Sequence, residues 1–231
     1  MNTVIIVLDS VGWDLFCKCN VPNMRSLGEP HQAFSSGLWT VPSFAEILKG
    51  QLPRCLNKSC YHNKIIKRSA FFLDNIPGKL YFFTANGWLI EPYSYIKHPK
   101  FVWKYFKPED SGWKSEEMIQ EILNLTGDYL VIMHVMETHS PYKYKEQFYS
   151  SIGEEYLKKM TKEDLERLKQ RQIKSVEYID KIIKPLIDMK LELVITADHG
   201  ENFELGKFGH DQSYPVEKNL YVPIISNVKN E

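Results

Sequence analysis

The sequence has no excess of charge of either sign, with 29 Lys and Arg against 29 Asp and Glu in 231 residues. This balance gives no global electrostatic basis for binding nucleic acid or an acidic membrane surface. A run of about 18 apolar residues is also absent, so no membrane span is predicted. The apolar run at residues 4–8 lacks the length and the basic flank of a signal peptide. These absences predict a cytoplasmic protein that does not bind nucleic acid.

Cysteine is scarce, and its four residues fall into two close pairs, Cys17 with Cys19 and Cys55 with Cys60. His62 follows the second pair, and cysteine with histidine can form part of a zinc site. A structural zinc site needs a second well-spaced ligand pair, which the sequence lacks. A local disulfide or two free thiols therefore explain Cys55 and Cys60 better.

Apolar strands alternate with amphipathic helices along the chain. This pattern predicts an α/β sandwich around a mostly parallel sheet, with residues 1–231 forming one domain. Continuous apolar runs predict strands at residues 4–8, 80–84, 129–135, 191–196 and 221–226. Pro223 places the last strand towards an edge, and Thr161 with Asp164 indicates a helix N-terminus. Helices are predicted at residues 41–50, at 114–125 and within 143–189.

Ligand-type side chains follow several predicted strands, at the edge where open α/β sheets bind their ligands. Asp9 follows the first strand, and Asp198 and His199 follow the fourth. Thr40 precedes the first predicted helix. Two carboxylates, one imidazole and one hydroxyl suit a divalent metal, with zinc or manganese preferred over calcium or magnesium. Taken singly, Asp9 also fits a turn residue and Thr40 a helix cap.

Five motifs occur in order along nearly the whole chain: residues 4–10 (VIIVLDS), 38–43 (LWTVPS), 134–142 (HVMETHSPY), 195–201 (ITADHGE) and 209–210 (GH). In this order they resemble the alkaline-phosphatase superfamily, above all sulfatase-like and phosphoethanolamine-transferase-like catalytic domains with a Thr nucleophile. The resemblance implies a three-layer α/β sandwich of the alkaline-phosphatase type, reduced in size. It also implies an enzyme that acts on phosphate monoesters or diesters.

The chain departs from the sulfatase pattern at three positions. Thr40 cannot become formylglycine, Phe44 stands where sulfatases have arginine, and Ser10 replaces a second aspartate. These differences disfavour sulfate esters. They favour hydrolysis of phosphoesters or transfer of a phosphoethanolamine- or phosphoglycerol-type group.

The resemblance implies that Thr40 attacks phosphorus and forms a phosphothreonine intermediate. An ordinary hydroxyl is a weak nucleophile near neutral pH, so it needs activation by a base or a metal. The predicted metal ligands are Asp9, Thr40, Asp198 and His199. One metal is favoured, and a second site stays open.

Further histidines and carboxylates accompany this set. His139 and His210 are catalytic candidates that can bind the transferred group, protonate the leaving oxygen or hold a second metal. His134 fits an orienting or core histidine as well as a ligand. Glu137 and Glu201 fit carboxylates that support the ligands from behind, but a solvated loop carboxylate is the expected role of each.

The predicted substrate is a small molecule, or a lipid-headgroup or glycan phosphoester, and the sequence indicates no oligomeric state. Two alternatives stay open. One is a sulfatase-like hydrolase of sulfate esters. The other is a non-catalytic metal-binding homologue, which the short length and Phe44 favour.

Overall fold

The computed structural model of the chain describes residues 2–35, 37–49, 76–90, 97–108, 113–142, 160–206, 208–210 and 216–228. Cys55, Cys60 and His62 lie outside these residues. The structure therefore does not test the zinc site, the disulfide or the free thiols considered for them. Residues 143–159 of the predicted helical stretch lie outside as well. Cys17 and Cys19 are described, and both are free thiols. A single domain over residues 1–231 stays a prediction.

Strands and helices alternate along the described chain. The strands are β1 (Asn2–Leu8), β2 (His31–Phe34), β3 (Lys79–Thr84), β4 (Phe101–Tyr105), β5 (Tyr129–Val135), β6 (Glu192–Ala197) and β7 (Tyr221–Ser226). The helices are α1 (Trp13–Phe16), α2 (Pro22–Arg25), α3 (Thr40–Lys49), α4 (Ser115–Leu123), α5 (Lys162–Ile182) and α6 (Lys184–Asp188). All five predicted strands are therefore present.

The seven strands found in the described part of the chain form one sheet, in the order β2-β7-β6-β1-β5-β3-β4. β1 is parallel to both β5 and β6, and β3 is parallel to β5 and β4. β7 is antiparallel to β6 and β2, and it lies second from one edge because the short strand β2 pairs along its outer side. The predicted mostly parallel sheet is confirmed.

Helices cover both faces of the sheet. Side chains alternate across a strand, so β1 contributes Ile6 to one core and Val7 to the other. The first core joins Ile6 to residues of α4, α5 and α6. The second joins Val7 and Phe82 to Phe44 of α3. This arrangement confirms the predicted three-layer sandwich.

The long helix α5 begins where the sequence predicts a helix N-terminus. Thr161 Oγ1 accepts a hydrogen bond from the Asp164 backbone N–H at 3.1 Å, and Asp164 Oδ2 accepts one from the Thr161 backbone N–H at 3.0 Å. This reciprocal pair is a capping box, which satisfies two otherwise unpaired donors. Val176 and Ile179 then face the core, so α5 packs firmly behind the sheet.

Candidate metal centre

The sheet topology brings three ligand-type side chains together at its carboxyl edge. β1 lies between β5 and β6, so Asp9, just after β1, is beside His134 near the end of β5 and Asp198 just after β6. All three side chains are buried, and one ligand atom from each lies within 4.8 Å of the others. Buried carboxylates and an imidazole at this spacing fit a divalent cation.

Ser10 connects the two carboxylates. Its φ of 63° is a left-handed conformation that costs a non-glycine residue on the order of 1 kcal/mol. In this conformation its hydroxyl donates to Asp9 Oδ1 at 2.7 Å, and its backbone N–H donates to Asp198 Oδ1 at 3.0 Å. Asp198 Oδ2 has no hydrogen-bond partner among the described residues. The serine therefore orients both carboxylates and leaves an oxygen of Asp198 available to a ligand.

Thr40 and His199 lie against these carboxylates. Thr40 is the first residue of α3, and its Oγ1 is 3.4 Å from both Asp9 Oδ2 and His199 Nε2. Donation from His199 Nδ1 to the Gly200 carbonyl at 3.0 Å leaves the lone pair of Nε2 free for a ligand. The positive end of the helix dipole at Thr40 favours negative charge on its hydroxyl oxygen.

The donor spacing fits a small tetrahedral cation. Bonds of about 2.0–2.2 Å from zinc to oxygen or nitrogen place tetrahedral donors about 3.4 Å apart. Three donor pairs are separated by 3.4 Å: Thr40 with Asp9, Thr40 with His199, and His199 with Asp198. The structure thus brings the four predicted ligands together, and their binding of a metal stays a prediction.

His134 is a further candidate ligand, which the predicted metal set did not include. Its Nε2 is 3.1 Å from Asp9 Oδ2 and 3.9 Å from Asp198 Oδ2, with no hydrogen-bond partner within the described residues. Its Nδ1 is 3.1 Å from the Thr84 hydroxyl, and the Phe44 ring packs edge-on against the imidazole at 4.6 Å. The pattern that could have identified it is a single imidazole within the apolar run of β5.

His139 and His210 lie next to this group. The centre of the His210 ring is 4.5 Å from that of His199 and 5.5 Å from that of His139. Glu201 accepts hydrogen bonds at 2.9 Å from both His210 Nδ1 and the Tyr142 hydroxyl. The Glu201 side chain is buried, so the expectation of a solvated carboxylate is wrong for it.

Glu137 is buried as well, which also contradicts the expectation of a solvated carboxylate. Its two oxygens accept hydrogen bonds from the Ser115 backbone N–H at 3.2 Å and from the Ser115 hydroxyl at 2.6 Å. Burial raises the pKa of Glu137 to about 7 in spite of these bonds. Glu137 therefore attaches the start of α4 to the loop after β5.

Burial and mutual repulsion determine the protonation of the two central carboxylates. Burial, together with the negative charge of Asp9, raises the pKa of Asp198 to about 7. Burial alone would also raise the pKa of Asp9, but nearby imidazoles, led by His139, hold it well below its usual value. A divalent cation would favour the ionised form of both groups because its charge offsets their repulsion.

The two neighbouring imidazoles differ in charge. Burial, together with the charge of His210, lowers the pKa of His199 to about 3, so His199 is neutral near neutral pH. Burial opposes charge on His210 too, but the Glu201 carboxylate raises the pKa of His210 to about 9. The site therefore combines an imidazole that can bind a metal with one that can bind an anion or donate a proton.

No protein-family model and no curated protein matches the sequence. Among solved structures, the chain is similar to the integral membrane protein lipooligosaccharide phosphoethanolamine transferase A from Neisseria meningitidis. The identity is 18%, the TM-score is 0.67, and the match covers 97% of this chain and 47% of that one. The chain thus spans about half the length of that transferase.

Three further solved structures are similar to the chain. The C-terminal periplasmic domain of EptC from Escherichia coli, in complex with Zn, has 16% identity and a TM-score of 0.58, covering 97% of this chain and 72% of that one. A protein in the alkaline phosphatase superfamily from Vibrio parahaemolyticus has 15% identity and a TM-score of 0.55, covering 100% and 62%. A 2-O GAG sulfatase, at 10% identity and a TM-score of 0.66, shares the fold as well.

These comparisons contradict the expectation of a cytoplasmic protein. The chain is similar to EptC domains from Escherichia coli and Campylobacter jejuni that are periplasmic, and the Neisseria transferase is an integral membrane protein. Within the described residues, no helix has both the length and the apolar character needed to cross a membrane. The predicted resemblance is confirmed at the level of the fold: the chain has the α/β fold of the alkaline-phosphatase superfamily, which phosphoethanolamine transferases and a sulfatase share with it.

Proposed function

We propose that the chain is a metal-dependent phosphoester transferase or hydrolase in which Thr40 is the nucleophile. The observation that carries this proposal is the position of Thr40 Oγ1, 3.4 Å from both Asp9 Oδ2 and His199 Nε2. A threonine that only caps a helix does not need a carboxylate and an imidazole beside its hydroxyl. Its hydroxyl is buried beside an ionised carboxylate and a neutral imidazole, where a hydroxyl can be activated.

Asp9, Thr40, Asp198 and His199 would hold the metal, with His134 as an additional donor. A bound divalent metal lowers the pKa of a coordinated hydroxyl and neutralises charge on a phosphoryl oxygen. Zinc is the first candidate because the donors are mixed nitrogen and oxygen atoms at tetrahedral spacing, and manganese is the second. The Zn complex of the similar E. coli domain supports the first choice.

The proposed reaction has two steps, attack by Thr40 on phosphorus and then release of Thr40 by water or an acceptor alcohol. Thr40 gives up its proton to solvent and forms a bond to phosphorus while the bond to the leaving oxygen breaks. His210, cationic through Glu201, donates a proton to that oxygen, and His139 binds the phosphoryl group beside it. In the second step, water or an acceptor alcohol gives a proton to His210 and displaces Thr40 from phosphorus, and the released Thr40 oxygen takes a proton back from solvent.

The proposed substrate is a phosphoester of a lipid headgroup, a glycan or a small molecule. The similar transferase from Neisseria is named for lipooligosaccharide and phosphoethanolamine, which supports the first of these classes. The fold shared with the sulfatase keeps sulfate esters as the second candidate, although Thr40 cannot form formylglycine.

The experiment measures turnover of p-nitrophenyl phosphate, its diester analogue and p-nitrophenyl sulfate with zinc or manganese present. Thr40→Ala should lower kcat for the phosphoesters on the order of 10³-fold or more, because it removes the attacking atom. Thr3→Ala is the matched control. Thr3 is also buried, but its hydroxyl donates to Glu192 at the amino ends of the strands, away from the candidate site.

Trapping the intermediate provides a second measurement. Rapid acid quenching followed by mass spectrometry should locate a phosphoryl group on Thr40 in the wild type. Full turnover in Thr40→Ala would exclude Thr40 as the nucleophile, and a preference for the sulfate ester would favour the sulfatase-like alternative. Metal binding without turnover of any of the three esters would indicate a non-catalytic homologue.

A further inference from the structure

The helix α5 carries one fully buried amide on its core-facing side. Gln172 has no exposed surface, and its apolar neighbours along the same helix include Ile173 and Val176. The Gln172 Nε2 atom donates two hydrogen bonds of 2.9 Å, one to the Ser10 carbonyl and one to the Thr138 carbonyl. One side chain thus connects the loop after β1 with the loop after β5.

The first of these loops orients the candidate metal ligands. Ser10 has a left-handed backbone, with its hydroxyl bound to Asp9 and its N–H bound to Asp198. Its carbonyl is the remaining polar group of that residue, and Gln172 holds it. The conformation that directs both carboxylates is therefore supported by Gln172 from behind the sheet.

The second loop carries a candidate catalytic imidazole. Thr138 is fully buried and directly precedes His139, whose backbone N–H donates to the Met136 carbonyl at 3.1 Å. Because Gln172 binds the Thr138 carbonyl as well, the spacing between the two loops is set by the two hydrogens of one amide group. A shift of either loop would change the distance between His139 and the ligands near Ser10.

The residue type at position 172 suits this task. A primary amide offers two N–H donors on one nitrogen, which matches two carbonyl groups at equal distance. An apolar side chain would leave both buried carbonyls without that donor, and a lysine would bury a charge. Gln172 Oε1 has no hydrogen-bond partner within the described residues, so the two bonds of Nε2 are the polar contacts that explain a buried glutamine here.

We infer that Gln172 is a positioning residue, which fixes the distance between the loop after β1, with its candidate metal ligands, and the loop after β5, with His139. This inference rests on the metal site of the proposed function. Within the described residues, the hydrogen bonds of the Gln172 side chain go to the backbone carbonyls of Ser10 and Thr138, so Gln172 acts through the backbone of these two residues.

The test compares Gln172→Met with Val176→Ala. The first variant keeps the volume of the side chain and removes both donors, whereas the second removes buried apolar volume one turn further along the same face of α5. Amide hydrogen exchange at Ser10 and His139 in the metal-free protein should become at least about tenfold faster in Gln172→Met only. Zinc affinity, measured by calorimetric titration, should fall about 10-fold or more in Gln172→Met and stay unchanged in Val176→Ala.

The two measurements separate this inference from the proposed function. Unchanged exchange at Ser10 and His139 in Gln172→Met, or an equal rise in Val176→Ala, would overturn the positioning role whatever the enzyme does. Failure of the wild type to turn over any ester would overturn the proposed function. The hydrogen-exchange rates at Ser10 and His139 would still decide whether Gln172 positions the two loops. If Gln172→Met does not fold, Gln172→Leu, which also removes both amide donors without burying a charge, takes its place in both measurements.

Discussion

Asp9 and Asp198 are both fully buried, and Ser10 hydrogen-bonds to one oxygen of each. Burial removes the water that would otherwise screen two neighbouring negative charges. The consequence at the scale of the residue is the raised pKa of Asp198, about 7. A bound cation would relieve this repulsion. The Asp198 carboxylate, which lowers the stability of the metal-free protein, would therefore also attract the metal.

We expect Asp198→Asn to stabilise the metal-free protein at alkaline pH. The folded-state pKa of Asp198, about 7, exceeds its ordinary value of 3.8, so its stabilising contribution is complete at low pH and is lost as the pH rises through 7. Asparagine does not titrate. Its advantage over the wild type should therefore grow by on the order of 2 kcal/mol between pH of about 5 and about 8. Urea unfolding with a chelator present measures this difference.

The matched control for this substitution is Asp188→Asn. Asp188 lies on the exposed surface beside Lys184, and its neutralisation should give no comparable gain with rising pH. An equal gain in both variants would contradict the account of repulsion between Asp9 and Asp198. Zinc titration completes the comparison, because affinity should fall in Asp198→Asn alone.

At the scale of the element, α3 connects the candidate nucleophile to the core. Thr40 begins the helix, and Phe44, one turn later, packs against Phe82 at 5.3 Å and against His134 at 4.6 Å. Residues four apart lie on the same side of a helix, so the packing of Phe44 restricts the rotation of α3 and the direction of the Thr40 hydroxyl. Phe44, which stands where sulfatases have arginine, is a core residue in this chain.

Phe44→Ala should lower the free energy of unfolding by about 3–5 kcal/mol, because it leaves a cavity beneath α3. Phe34→Ala is the control, since the Phe34 side chain is 64% exposed and its loss should cost about 0.5 kcal/mol or less. Urea unfolding of the two variants measures both values. Similar losses in the two variants would show that Phe44 does not anchor α3.

At the scale of the whole molecule, the candidate ligands come from chain segments that are distant in sequence. Asp9 follows β1, Thr40 begins α3, and Asp198 and His199 follow β6. A metal bound by all of them would join two strand ends of the sheet to a helix of the layer above. Such a ligand requires the folded arrangement and therefore stabilises the folded state by mass action.

Removal of the metal should accordingly lower the Tm. Zinc at about 100 times its Kd contributes about 2.7 kcal/mol, which corresponds to roughly 5–10 °C for a chain of this size. Calorimetric melting with zinc and with a chelator measures the shift. The shift should be absent in Asp198→Asn, and a wild type that melts at the same temperature in both conditions would contradict the proposed metal site.

The strands at the centre of the sheet could be predicted because strands buried on both faces read as continuous apolar runs. β2 and β4 could not, because β2 is mostly exposed and β4 is only partly buried, so neither shows such a run. Asp9, Thr40, Asp198 and His199 were predicted as a group from their motifs. His134 was left open between a core histidine and a ligand, and Gln172 was not predicted, because the sequence around a single polar residue in a strand or a helix does not show which groups that residue contacts.

The sequence by itself determined the class of fold and the order of the motifs, because periodicity and motif spacing are local properties of the chain. Only the tertiary structure decided which polar groups meet. Pairing of β1 with β5 sets Val7 opposite His134 and so brings that imidazole to Asp9, and packing of α5 brings Gln172 to Ser10. Burial and distance between such remote segments determine the pKa of each group, and both depend on strand register and helix packing rather than on neighbours in the sequence.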